Sequence, residues 1–249
     1  MNPPAAQRRR GVTEATIFAV VGVAILFGLG NWQLERKAWK EALIAMATTR
    51  LAAAPVTLPP RERWSRLDQD EIEFLRVTFP AEFLNDQEAL VFTSGSAFRP
   101  DISGPGFWVF TPARLPGGSV IVVNRGFVPF DRKDPQSRPQ GRLTGLVDVI
   151  GVMRWPEQRG ALTPADEPQN NIWHLRNPAQ IAATKNWGPV APFYIDMEQP
   201  QPPGGLPRAG PLAVKLANNH LQYAITWFGL AGALAVVYLA WLLGRRRRA

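Results

Sequence analysis

His220 stands at the start of a long apolar run, and Tyr223 and Trp227 follow at i+3 and i+7, on one face of any helix that begins there. A histidine in this position has two chemical uses. It can hydrogen-bond to lipid headgroups or a neighbouring helix, or it can act as a ligand. Polar residues at such depth are disfavoured unless they face protein or a ligand. An imidazole with aromatic neighbours on its own face offers an iron porphyrin one axial nitrogen and flat apolar walls. Near the other end of the chain, Trp32, Arg36 and Trp39 fall at i, i+4 and i+7 and share a second helical face. One reading makes them an interfacial aromatic with snorkelling bases, which suits Trp32 better than Trp39. The other makes them part of a pocket, with Arg36 or Lys40 placed for porphyrin propionates.

Between these sets, Val123-Asn124-Arg125-Gly126-Phe127-Val128-Pro129 is the most distinctive segment. A buried strand is expected to end there in an amide, a guanidinium and a glycine. Asn124 and Gly126 can shape the turn while Arg125 pairs with a carboxylate or with stray carbonyls. Alternatively, Arg125 offers an anion or a partner a contact at the domain edge.

Other chemistry is thinly supplied. The two histidines, His174 and His220, have no Gly-x-Ser-x-Gly elbow to serve, and no phosphate loop of Walker or Rossmann spacing is present. Asp68/Asp70 and Glu71/Glu73 read as solvated charges. Cysteine is absent, which removes disulfides, zinc-thiolate and iron–sulfur sites, covalent c-type haem attachment and a thiol nucleophile. The four methionines are scattered, which argues against a Cu(I) carrier. The expectation is a protein that is not an enzyme, with no catalytic residues.

The elements that must position these residues are framed by charge. Ala15 to Leu34 is uncharged and preceded by Arg8, Arg9 and Arg10; Leu221 to Gly244 is uncharged and followed by Arg245 to Arg248. Each run reaches the ~20 residues a membrane-spanning helix needs. Flanking arginine favours the cytoplasmic side, so both termini are expected inside. Arg36, Lys37 and Lys40 balance the first flank, so the second span decides the orientation. Cleavage of the first run as a signal peptide is the competing reading, but Gly30-Asn31-Trp32-Gln33 is no small-residue cleavage site. The formal charge of +8 comes almost wholly from the end clusters and marks membrane orientation, giving no support for a nucleic-acid surface.

The chain therefore divides into a cytoplasmic N-terminus (1–12), a first span (13–34) whose helix continues to about 50, an extracytoplasmic β-rich domain (51–198), a Pro/Gly linker (199–212), a second span (217–243) and a basic cytoplasmic tail (244–249). The fold class is α+β: two transmembrane helices flanking an antiparallel sheet or small barrel with a short helix. Strands are expected over 71–79, 89–93, 106–111 and 119–124, with one or two within 141–153 and another over 190–197. A short helix is expected at Asn177 to Ala183, with proline near its start. The linker reads as an extended tether with nothing to bury.

Taken in order, Gly30-x-Trp32-Gln33-x-x-Arg36-x-x-Trp39-Lys40, Gly106 with Thr111-Pro112, Val123-Asn124-Arg125-Gly126, Asn171-x-Trp173 and His220-Leu221-x-Tyr223-Ala224-x-Thr226-Trp227-Phe228 resemble the Surfeit-1 (SURF1/Shy1) family, from about residue 28 to 230. The resemblance implies an assembly factor for haem-copper cytochrome c oxidase. It further implies binding of haem a and its transfer to the oxidase's catalytic subunit, with haem a synthase as a further candidate partner. In that reading His220 matches the proposed iron ligand, and Tyr223, Trp227, Trp32 and Arg36 surround the cofactor. Asn124, Arg125, Gly126 and Trp39 are then structural or partner residues. Phe127 departs from the family's usual tryptophan but keeps an aromatic. The short N-terminus without a transit peptide points to a bacterial member, in the inner membrane. A membrane scaffold that stabilises the nascent subunit without touching haem is the alternative, and an enzyme in the extracytoplasmic domain is a more distant one.

Overall fold

In a computed structural model, residues 5–214 and 217–247 are described. Arg248 of the C-terminal cluster lies outside the described residues, as do the side chains of Arg8, Arg9, Arg10 and Arg246. Two compact units are formed: the terminal helices, up to residue 45 and from residue 217, and residues 46–216.

The helical unit follows from composition. Helix α1 (Ala5–Ala52) runs unbroken because no Gly or Pro interrupts it between Gly30 and Pro55. Its partner in this unit is the C-terminal helix (His220–Arg246), and both are long and apolar enough to cross a membrane. Lipid supplies no hydrophobic drive between two apolar helices, so close packing requires small residues. They are present: Ala19, Ala224 and Ala231 are buried, Gly22 lies under Leu234, and Gly30 lies under the Phe228 ring. Phe27 adds a tilted ring contact to Phe228 at 5.2 Å. Thr16 and Tyr238 share a hydrogen bond at one end of the seam, and Gln33 meets His220 at the other, so the helices are antiparallel.

In the second unit, a two-residue strand β1 (Val56–Thr57) and a short helix α2 (Gln69–Ile72) precede β2 (Arg76–Phe83), β3 (Ala89–Gly95), β4 (Ser103–Arg114), β5 (Val120–Pro129) and β6 (Leu146–Arg154). A two-residue β7 (Ile172–Trp173), helix α3 (Pro178–Lys185) and β8 (Val190–Gln199) follow, and the C-terminal helix is α4. Sheet order is β1-β2-β6-β8-β5-β4-β3-β7, and β2 also pairs with β4. That last pairing closes β2-β6-β8-β5-β4 into a five-stranded barrel. Alternate residues of β2, Val77, Phe79, Ala81 and Phe83, join Phe193, Ile195 and Met197 of β8 in one core. A second core carries Trp108, Phe127, Trp173, Ile181 and Tyr194. Both faces of β5 are thus covered, and it is buried from Ile121 to Val128. Each large apolar side chain so buried contributes ~1.5–3 kcal/mol.

Several expectations need correction. Residues 71–79 are not one strand: Asp68 accepts the Glu71 N–H and caps α2, Phe74 turns the chain at φ 64°, and β2 starts only at Arg76. Of the one or two strands expected within 141–153, one is found, β6, which begins at Leu146 after a 3-10 turn at 139–141. The stretch 199–212 is no free tether. Arg208 pairs with Phe127 through hydrogen bonds of 2.8 and 3.1 Å, Ala209 is buried in the barrel core, and the Gly210 N–H donates to Met197. Backbone groups of Arg208 and Gly210 are thus satisfied by the barrel, which composition alone does not reveal.

Candidate functional site

The seam of the helix pair brings together two side chains 187 residues apart in sequence. His220 Nδ1 lies 2.7 Å from Gln33 Oε1, and both residues are half-buried. His220 is the first residue of α4, and Gln33 lies one turn beyond Gly30, where the missing side chain lets the helices touch. An amide oxygen at this distance can accept from Nδ1 in the Nδ1–H tautomer of the ring. No bond to Nε2 is seen among the described residues. In that tautomer the lone pair resides on Nε2, the nitrogen then available to a metal.

The other expected members of this site are less closely assembled. Tyr223 is 56% exposed and Trp227 half-buried, so they stand beside the seam and not within it. Trp32 is 50% exposed, and no ring contact or hydrogen bond joins it or Arg36 to α4 among the described residues. Arg36 instead lies over the Trp39 ring at 4.8 Å, a cation–π pair on the continuation of α1. Gln33, which the sequence marks only as part of the Gly30-x-Trp32-Gln33 string, joins the site through a contact between distant segments. His174 is in other surroundings: its ring meets Phe92 at 5.8 Å and Nε2 lies 4.0 Å from Glu167. Among the described residues there is no cluster of three or more His, Asp or Glu suited to a metal ion.

The Asn124-Arg125-Gly126 corner is a bulge in a continuing strand. Trp108 pairs with Phe127 and Phe110 with Asn124, so Arg125 and Gly126 together oppose Val109. Gly126 takes φ 122°, and an added Cβ would come within 2.3 Å of the Arg208 carbonyl. Asn124 Oδ1 accepts the Gly126 N–H at 3.1 Å, and its Nδ2 donates to Asp196 at 2.7 Å. Arg125 is 1% exposed, so it offers no contact at the domain edge. Its guanidinium donates to Asn85 Oδ1 and the Gly141 carbonyl and lies over the Phe83 ring. Burial lowers its pKa to about 10, offset in part by the charge of Glu88. Phe127 packs edge-on against Trp108 at 5.8 Å, so the aromatic that departs from the usual tryptophan is a core residue.

The Asp196 carboxylate leads to a charged cluster that sequence alone misjudged. Glu73 is buried, not solvated: it accepts from Arg154 Nε at 2.9 Å, while Asp196 accepts from another Arg154 nitrogen at 2.9 Å. The Phe74 and Phe98 rings flank the guanidinium at 4.9 and 5.1 Å. Burial opposes the Arg154 charge, yet its neighbours Tyr194, Asp196 and Glu73 raise its pKa. The cluster ties β5, β6 and β8 together, with the one Arg154 guanidinium shared between the Glu73 and Asp196 carboxylates.

Fold and site define a class: a five-stranded barrel placed in the chain between two helices of membrane length that pair with each other through small residues. The chain belongs to the SURF1 family, whose model matches residues 20–232. A SURF1-like protein of Monosiga brevicollis is 35% identical over 254 residues, covering 98% of this chain and 91% of that protein. Surfeit locus protein 1 of Homo sapiens is 34% identical over 224 residues, covering 85% and 72% respectively. The protein of that name from Rattus norvegicus is 32% identical over 225 residues, covering 86% and 71%.

Proposed function

We propose that this chain is a non-enzymatic assembly factor for a bacterial haem-copper cytochrome c oxidase, which binds haem a at its paired helices and aids its insertion into the catalytic subunit. One observation carries the reading: a histidine at the end of the α1–α4 seam whose Nδ1 lies 2.7 Å from Gln33 Oε1 and whose Nε2 has no partner among the described residues. His220 would supply the axial nitrogen, with Tyr223, Trp227 and Trp32 as apolar surfaces and Arg36 as a cation for the propionates. A single neutral nitrogen on a shallow site suits a carrier that must release its cargo. The exposure of Tyr223 and Trp32 also suits release, because a receiving protein can reach the site without unfolding it.

In this reading the protein resides in the inner membrane, with both termini cytoplasmic and the barrel on the periplasmic side. Its partners are the oxidase catalytic subunit and the haem a synthase that delivers the cargo. The test is purification from cells that make haem a, followed by a pyridine-haemochrome spectrum. Haem a at up to one equivalent is expected. Haem-free protein that still restores oxidase assembly would contradict the reading and favour a scaffold acting on the nascent subunit.

A further inference from the structure

We propose that Gln33 is the positioning residue for His220, selecting the imidazole tautomer in which Nε2 is the free nitrogen. This rests on the reading of His220 as a haem ligand. The contact joins two helices through a single pair of side chains, Oε1 to Nδ1 at 2.7 Å. Free imidazole in water favours the proton on Nε2, which would hide the nitrogen best able to reach a ligand beside the seam. An acceptor on Nδ1 reverses that preference and also stops the ring from turning about χ2. The seam explains why the acceptor can be so close: Gly30, one turn before Gln33, has no side chain to hold Phe228 away.

The type of acceptor matters as much as its presence. Metal-bound histidines are held through the other ring nitrogen by a carboxylate, a carbonyl or water, and a carboxylate makes the imidazole the stronger donor. Gln33 offers an uncharged amide oxygen, so it fixes the ring without adding that donor strength. It is also the cheaper choice in a membrane, where an extra carboxylate beside the span would carry a desolvation cost. Fixed orientation with modest donor strength is what a transient carrier of iron porphyrin requires.

The experiment uses the whole chain with His174→Ala, which leaves His220 as the only histidine. In the haem-free protein, nitrogen-15 NMR of the imidazole at about pH 8, where an ordinary histidine is neutral, reads the tautomer directly. The Nδ1–H form is expected to dominate. Gln33→Leu should move the population to Nε2–H, and Gln33→Glu, which retains an acceptor, should keep Nδ1–H. Ferric haem a titrated into the same proteins should bind about 10–100-fold more weakly to Gln33→Leu, the usual range for loss of a ligand's hydrogen-bond partner. Gln33→Glu should bind it at least as well as the parent, with a shifted Soret band. A dominant Nε2–H form in the parent, or a tautomer unmoved by Gln33→Leu, overturns the positioning role. If the tautomers behave as expected but His220→Ala binds haem a normally, the ligand reading fails while the contact stands.

Discussion

At the scale of single residues, the Asn124-Arg125-Gly126 bulge shows how a short polar run in a buried strand is held. Asn124 binds the Gly126 N–H locally and Asp196 across the sheet, while Gly126 gives way to the Arg208 backbone. Gly126→Val would force a β-branched residue to φ 122° and push against that backbone. A loss of about 3 kcal/mol is expected, combining backbone strain and overpacking. Gly117→Ala, where an added Cβ meets open space, should stay within about 0.5 kcal/mol of the parent. Denaturant melts of the two variants, followed by tryptophan fluorescence, check this. The buried strand leading into the run is legible in the sequence, but its continuation through the run to Pro129 is not. Glu73 looks like a surface charge until the sheet brings Arg154 to it, whereas Arg125, expected to pair with a carboxylate or stray carbonyls, finds Asn85 and the Gly141 carbonyl.

At the scale of elements, the small residues at the α1–α4 seam set the distance between the helices and so the meeting of Gln33 with His220. Gly30→Leu would place a side chain in the space of the Phe228 ring, a change that costs about 1–3 kcal/mol in a packed interface. Gly28, with nothing near it, is the matched control. The chain has no cysteine, so Thr16→Cys with Tyr238→Cys reports pairing through a short bis-maleimide cross-linker, which spans the gap left by the tyrosine ring that a disulfide would not. Cross-linking should fall steeply in Gly30→Leu and persist in Gly28→Leu; equal yields would show that Gly30 does not set the spacing. Much of the element pattern is legible from local sequence. The alternation of Val77, Phe79, Ala81 and Phe83 marks an inward face, and Asn177-Pro178 opens α3, where the Asn177 side chain accepts the Gln180 N–H. Barrel closure by β2–β4, the parallel β5–β8 pairing and the docking of residues 199–212 are not legible, because each rests on contacts between distant segments.

At the scale of the whole molecule, charge and hydropathy carry the account. Bases gather outside the two apolar runs, and the chain between them is near neutral. Antiparallel pairing of α1 and α4 brings the N-terminal part of one helix beside the C-terminal part of the other, as Thr16 and Tyr238 report. Both ends of the chain should then lie on one side of the membrane. A reporter active only outside the cytoplasm should work when fused near Gly117 and be silent after Ala249. The reverse pattern would place the barrel in the cytoplasm and separate it from a periplasmic role.

The central claim is that His220 ligates haem iron, and its most direct measurement is the visible spectrum and haem content of purified His220→Ala beside His174→Ala. Alanine is well tolerated in a helix, so the His220 variant should still insert and pair. Without the axial nitrogen, its haem occupancy should fall by at least about tenfold, the loss expected for ~1.4 kcal/mol or more of ligation energy. Any residual haem should show an altered Soret band. His174, which lies against Phe92 in the barrel unit, should leave both content and spectrum unchanged on substitution. Normal haem in His220→Ala, or loss confined to His174→Ala, would contradict the account.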